Sequence, residues 1–329
     1  LKKILITGST GQVGSWLCNY LLDNNINVEI HCVRRWRSPL KNTKTFYKKV
    51  NWHIADLVDY KNTFEIFKKV RPDYVAHFAA QSFVAVSWSQ PYHTIEVNYK
   101  MQLNILEAVR HLKEEDSAYD PIIHSALSSE EYGRIKVPFG TKITEDFPIA
   151  PSSPYGVSKV TQEHLCKVYW ESFGIKSIRL RSFNHESTRR GKEFVTANFC
   201  MQVAKMEKGI QKPILRVGNV NSVRDWSDAR DIVRGIWIGL NKADPNEVYN
   251  LCSGKAHTIQ EFIVKLQNLS TISFKVKVDP ARIRPSDVDY LLGDNSKFKK
   301  ATGWTLKYDF INDTVPEMLE AWRKKLNKI

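Results

Sequence analysis

The sequence predicts an α/β protein with a Rossmann-type doubly wound parallel sheet and a smaller C-terminal substrate lobe. Two patterns in the N-terminal half carry that expectation. Strand-like and helix-like segments alternate with short links, the order that builds a parallel sheet with helices on both faces. Three glycines, Gly8, Gly11 and Gly14, lie between the first strand-like run and the first helix-like run. A third observation predicts the lobe: beyond about residue 185 the alternation loosens and the remaining segments no longer follow the strand–helix order.

"KKILIT" is a continuous apolar run of strand length, and "VGSWLCNYLLDNN" has the spacing of an amphipathic helix. "NVEIHCV", "VNWHIADL" and "DYVAHFAA" repeat the strand signal. "TFEIFKKV" and the long "TIEVNYKMQLNILEAVRHL" read as the helices between and after them. "PIIHSAL" is a further strand, followed by the helix "SPYGVSKVTQEHLCKVYWESFG", which ends at a C-cap glycine, and by the strand "KSIRLRSF". "VRDWSDARDIVRGIWIGLNKA" and "EVYNLCSG" read as a helix and a strand returning to the sheet. "TIQEFIVKLQNL", "FKVKV" and "FINDTVPEMLEAWRKKL" build the lobe. The expected division is 1–184 for the dinucleotide domain with a return segment at about 221–251, and 185–220 plus 252–329 for the lobe. With no flexible linker between them, the cleft they share is the expected ligand site.

Composition narrows the class. With 42% hydrophobic and 26% charged residues the chain is an ordinary globular protein, and no window reaches the ~18 to 20 unbroken apolar residues of a membrane span. "LKKILIT" runs straight into the glycine turn, leaving no room for a secretory signal, so a cytoplasmic protein is expected. Five cysteines without a CxxC, and no His/Cys cluster of zinc spacing, predict reduced thiols and no metal. The net charge of +14 comes from lysines spread along the chain, without a basic block, which argues against nucleic acid. The arginine-bearing segments "RRWR" and "STRRG" suit small phosphorylated ligands instead.

The glycines allow a pyrophosphate to approach the backbone where a helix N-terminus offers unpaired N–H groups. A dinucleotide site is therefore expected at Gly8, Gly11, Gln12, Val13 and Gly14. NAD-binding folds usually place an acid about 20 residues on, for the ribose 2′-hydroxyl. Here the second strand ends in Arg34 and Arg35 with no acid, and guanidinium suits a 2′-phosphate, so the cofactor expected is NADP. Asp56 and Leu57, after the third strand, are expected beside the adenine.

"SSPYGVSKV" sets Tyr155 and Lys159 four residues apart on one helix face, with Ser153 as cap and Pro154 in the first turn. A free tyrosine, with pKa about 10, is a poor base at neutral pH. A nearby ammonium stabilises phenolate, so the pair can accept a proton from an alcohol while hydride leaves. Ser128, just past the fifth strand, can hydrogen-bond the same oxygen.

These three features together, TGxxGxxG, the serine after the fifth strand and YxxxK, resemble the extended short-chain dehydrogenase/reductase superfamily over nearly the whole chain. "AAQSFVAVSWSQP", "SSPYGVSK", "FNHESTRRGKEFVT", "VRDWSDARDIV" and "RPSDVDYLLGDNSKFKKATGW" resemble the GDP-mannose 4,6-dehydratase family, and "RRWRS" resembles its cofactor-contacting arginine loop. The resemblance implies cofactor contacts at Ala79 and Ala80 and a GDP-sugar held by Ser82, Asn184, Arg224, Arg284 and Asp287. It also implies a homo-oligomer, dimer or tetramer. The family's "ESPRRG" has proline where Thr188 stands, and its Thr-Ser-Glu or Thr-Asp-Glu is Ser128-Ser129-Glu130 here. Serine for threonine keeps the hydroxyl and frees its rotamer. Arg189 and Arg190 could serve a neighbouring subunit's loop, and His185 is expected to be structural.

"SALSSEEYG" carries two hydroxyls and two carboxylates in a row. In extended geometry residues two apart face the same side, so Ser128 and Glu130 are expected toward the substrate and Ser129 and Glu131 away from it. A plain dehydrogenase or epimerase has no obvious need for that carboxylate. A dehydratase uses it to remove a proton made acidic by a neighbouring ketone. A reductase of the keto-sugar product, or a 4,6-dehydratase for another GDP-sugar such as a heptose, is the alternative.

Overall fold

The computed structural model describes residues 1–282 and 288–327. Strand β1 (Lys2–Thr7) leads into α1 (Gln12–Asp23), followed by β2 (Val28–Arg34), β3 (Asn51–Ile54), α2 (Tyr60–Val70) and β4 (Tyr74–His77). Then come α3 (Val84–Ser89), α4 (Pro91–Glu115), β5 (Ile122–Ser128), α5 (Pro154–Phe173) and β6 (Ser177–Ser182). The second half runs β7 (Asn184–Glu186), α6 (Val195–Glu207), β8 (Ile214–Val217), β9 (Val223–Asp228), α7 (Ala229–Lys242) and β10 (Val248–Leu251). It ends with β11 (Ala256–Thr258), α8 (Ile259–Leu269), β12 (Lys275–Val278), β13 (Tyr290–Leu291), α9 (Ser296–Thr302) and α10 (Val315–Leu326).

Seven strands form one parallel sheet in the order β10-β6-β5-β4-β1-β2-β3. The order reverses between β1 and β4, where an open α/β sheet binds ligands beyond its strand ends. Alternation in β1 shows why both faces are covered: Ile4 and Ile6 enter a core with α1 and α7, and Leu5 enters another with α2, α4 and α5. Each fully buried side chain of this size contributes roughly 1.5–3 kcal/mol. Ser153 caps α5 by accepting the Gly156 N–H at 3.1 Å, and Gly174 ends that helix in the left-handed conformation, as the sequence predicts.

The lobe has its own core, in which Trp226 stacks on Phe310 at 4.8 Å beside Phe199 and Phe262. Strand β9 pairs with β7, β11 and β13, and β8 pairs with β12. The segment expected as one helix from Val223 is therefore a strand up to Asp228. There the Asp228 carboxylate accepts the Arg230 N–H at 2.7 Å and starts α7. Within the expected return segment it is α7 and β10 that join the large sheet, whereas β9 belongs to the smaller one. In the other direction, Phe298 and Trp304 from the C-terminal part pack into the large sheet's core.

The five cysteines are buried and free, and two of them, distant in sequence, meet: Cys18 on α1 and Cys32 on β2 lie 3.5 Å apart. Among the described residues no helix is long and apolar enough to cross a membrane.

Candidate active site

The turn after β1 is a place only glycine fills. Gly8 has φ +62°, and a Cβ there would come within 2.8 Å of the Phe78 and Ala79 backbone. A Cβ at Gly14 would come within 2.6 Å of Gly8 O. No side chain caps α1, whose first residues are Gln12, Val13 and Gly14, so their N–H groups face the turn without a partner from within the helix. Thr7 braces the opposite wall: its Oγ1 accepts from Phe78 N and Ala79 N at 3.0 and 3.1 Å and lies 2.8 Å from His77 Nδ1. A phosphate-bearing dinucleotide fits this backbone-lined turn.

The arginines beyond β2 divide. Arg34 is half-buried and donates to the carbonyls of Arg35 and Trp36 at 3.3 and 3.1 Å, while Arg35 is exposed. Asn42 ties this loop to the cradle by donating to Thr10 O at 3.1 Å. Leu57 is buried and Asp56 exposed behind β3. Ala79 and Ala80 lie half-buried past β4, and Ser82 is exposed.

The turn following β5 departs from extended geometry. Ser128 is the last strand residue, and residues 129–131 form a single 3₁₀ turn. The Ser128 hydroxyl accepts the Glu130 N–H at 3.2 Å, and Glu131 Oε1 accepts the Ser128 N–H at 2.8 Å. This reciprocal cap favours a turn over continued strand, so strand alternation does not assign the sides. Glu131 is fully buried, while Glu130 is half-buried and acts electrostatically on Tyr155.

Tyr155, in the first turn of α5, is buried beside this turn. Burial pushes its phenol upward, the hydrogen bond with Ser128 opposes that, and the charges of Glu130 and Glu131 add to the rise. Arg190 works the other way. Lys159, one turn along α5, donates to Ala126 O and Gln162 Oε1 at 2.7 and 2.8 Å, and burial lowers its ammonium to about 8. Tyr155, Lys159, Ser128 and Glu130 thus gather where β5 ends and α5 begins.

Several supporting residues carry no sequence motif. Asn98 on α4 accepts the Gln81 N–H at 2.8 Å and donates to Ser158 Oγ at 2.9 Å, which donates to Tyr155 O at 2.7 Å. Asn98 and Ser158 are polar residues at helix positions that turn out to be buried, and Gln81 lies in the loop before α3. Gln12 joins the cradle to β7 by donating to His185 O at 3.0 Å. His185 sits against Phe183 O with burial lowering it to about 4, a structural setting. Arg189 donates to Ser15 Oγ and Asn19 Oδ1 of α1 at 3.0 and 2.7 Å and stacks on Trp16; it serves its own chain's helix. Arg190 lies over Phe194 at 3.5 Å, with Nε 3.3 Å from Glu186 Oε2.

In the lobe, Asn184 stands level with Trp226 between β7 and β9, and Arg224 donates to Val223 O at 2.9 Å. Asp225, its neighbour, accepts from Ser253 N, Ser253 Oγ, Gly254 N and Gly293 N, and Asp228 is engaged with Arg230. Arg284 and Asp287 lie outside the described residues.

The profile of a family described as GDP-mannose 4,6 dehydratase matches residues 5–318. A GDP-mannose 4,6-dehydratase of Vibrio cholerae is 35% identical, over 92% of this chain and 89% of that protein. Among solved structures, RMD from Pseudomonas aeruginosa complexed with NADPH has a TM-score of 0.83 at 26% identity, covering 98% of each chain. A UDP-glucose 4-epimerase from Thermus thermophilus in complex with NAD has a TM-score of 0.82 at 28% identity, covering 98% of this chain and 99% of that one.

Proposed function

The chain belongs to the GDP-mannose 4,6-dehydratase family, and from that membership we propose how its own residues carry out the conversion of GDP-mannose to GDP-4-keto-6-deoxymannose and water. The observation that supports it most directly is the meeting of Tyr155, Ser128 and Glu130 at the C-terminal end of β5.

The cofactor is a nicotinamide dinucleotide held at Gly8, Gly11, Gln12, Val13 and Gly14, with Ala79 and Ala80 on the far wall and Asp56 and Leu57 at the adenine. We assign it as NADP, with Arg35 available to a 2′-phosphate and Arg34 shaping the loop. Bound there, the dinucleotide would supply a hydride acceptor for carbon 4 of the sugar and a hydride donor for carbon 6.

Tyr155 takes the proton of the 4-hydroxyl. Lys159 supplies the positive charge that makes this easier, and Ser128 orients the oxygen. The resulting ketone acidifies the hydrogen on carbon 5. Glu130 removes that proton and passes it to the 6-hydroxyl, which leaves as water; the proton held by Tyr155 goes to carbon 5 as carbon 6 is reduced. No external reductant is consumed. The lobe holds the nucleotide end, with Asn184, Arg224, Arg284 and Asp287 at the GDP moiety and Ser82 at the sugar; a guanidinium can bind diphosphate oxygens in pairs.

The exposed side of α5 carries an apolar groove of about 420 Å³, lined by Pro151, Val157, Val160, Leu165 and Val168. We assign this face to a second copy of the chain, α5 packing beside α4 in a helix bundle; sedimentation at micromolar concentration checks it. Five buried thiols suit a reducing cytoplasm. The test of the reaction is mass spectrometry after incubation with GDP-mannose and no added reductant. The expected product is lighter by one water, and unchanged GDP-mannose refutes the reading.

A further inference from the structure

The carboxylate not used above, Glu131, is fully buried, and its two oxygens differ. Oε1 accepts the Ser128 N–H at 2.8 Å. Oε2 is buried and receives no donor. Arg181 of β6 has its Nε 3.7 Å away, too long for a hydrogen bond. Its donors go elsewhere: Nε and Nη2 to Glu163 at 2.8 and 2.6 Å, and Nη1 to Tyr132 and the Glu145 carbonyl at 3.0 and 3.1 Å. Glu163, which takes the Nε and Nη2 bonds of Arg181, is thereby brought beside Glu131, and its charge acts on it.

Two buried carboxylates at one guanidinium that bonds only one of them cannot both carry charge at low cost. A proton between them satisfies both. We infer that Glu131 is a neutral carboxylic acid that donates to Glu163, and that through this bond it is the positioning residue for the Ser128–Glu130 turn. The assignment of partners agrees in direction. Burial, then the Glu163 charge, pushes Glu131 well up, whereas for Glu163 burial is outweighed by its bonds from Arg181, which hold it down.

The remaining charged and titratable groups around Glu131 are Tyr155 and Lys159 of α5, Glu130 and Tyr132 of the turn, and Arg179 of β6, which acts on Glu163. The turn has no room to adjust. A Cβ at Gly156 would lie 2.8 Å from Glu130 O, so the turn and the start of α5 are in contact. Loss of the Glu131 proton sets two anions against each other under the residue that holds Ser128.

The kinetic arm of the test rests on the dehydratase reading; the melting arm needs no substrate, so the two can fail separately. Glu131→Ala should lower kcat by about tenfold to a hundredfold with KM nearly unchanged, as misplacement of a turn would. Glu131→Gln should restore most of it, because an amide can accept from Ser128 N and donate to Glu163. For stability the folded state holds this proton more tightly than the unfolded chain. Its contribution is full below the usual glutamate range and is lost as pH rises through the elevated folded value. The melting temperature of wild type relative to Glu131→Gln should therefore fall as pH rises above the usual glutamate range. A Gln variant as impaired as the Ala variant, a Gln variant that does not fold, or a melting difference that ignores pH would each overturn the inference.

Discussion

The Lys159 ammonium lies 5.6 Å from the centre of the Tyr155 ring, and its hydrogen bonds go to Ala126 O and Gln162 Oε1. The lysine is thus anchored to the end of β5 beside the Tyr155 ring. Two consequences follow for the pair, because Tyr155 is pushed up by burial while Lys159 is brought down to about 8.

Lys159→Met should reduce turnover by about a hundredfold or more. Its effect on stability depends on pH. The unfolded chain holds the lysine proton up to about pH 10.5 and the folded protein only to about 8, so the native state gains on the unfolded one as pH rises between those values. The stability of wild type relative to Lys159→Met should rise by roughly 3 kcal/mol across that window. Urea melts at about pH 7.5 and about pH 10 measure it, and an equal difference at both pH values would contradict a buried, charge-penalised lysine.

Glu130→Gln should separate the half-reactions. The variant still has Tyr155, Lys159 and Ser128, so GDP-mannose should generate reduced-nicotinamide absorbance on the enzyme. Release of the 4-keto-6-deoxy product should drop by about 10² to 10⁴, the range for losing one acid–base group. Normal turnover would remove Glu130 from the elimination.

Arg35→Ala should cut the preference for NADP over NAD by roughly 10- to 100-fold, the value of a charge-assisted hydrogen bond to phosphate. Arg34→Ala should weaken both cofactors together, since Arg34 donates to the carbonyls of its own loop. Fluorescence titration with each dinucleotide checks this; an Arg35 variant with unchanged selectivity places the 2′-phosphate elsewhere.

Gly8→Ala should lose cofactor binding and cost more than the ~1–2 kcal/mol of a left-handed residue, because its Cβ would also collide with the Phe78 and Ala79 backbone. A melting curve and a dinucleotide titration on the same sample are sufficient. Retained affinity would mean that the turn can relax away from β4.

Much of the site was readable because its parts are close in sequence. Tyr155, Lys159, Ser153 and Pro154 lie within one helix start, and helix geometry delivers them as predicted. The parallel sheet also followed from alternation, since each β–α unit is local. Strand periodicity failed at Ser128–Glu131, because two of the polar side chains that suggested chemistry, Ser128 and Glu131, also accept backbone N–H groups of their own segment and cap it into a 3₁₀ turn. The segment starting at Val223 misled for another reason: neighbouring strands recruit it into the small sheet, and tertiary pairing outweighs its helical pattern.

By itself the sequence determined the sheet, the glycine turn after β1, the placing of Tyr155 and Lys159 on one helix, and the family, each through motifs of residues near one another along the chain. Only the tertiary structure decided that Glu131 and Glu163 share Arg181, that Cys18 touches Cys32, that Arg189 braces α1, and that Asn98 secures Tyr155 through Ser158. Those pairings join separate elements. Which buried polar groups become partners depends on how strands and helices pack, because a polar atom taken out of water must find its hydrogen bond wherever the fold brings one.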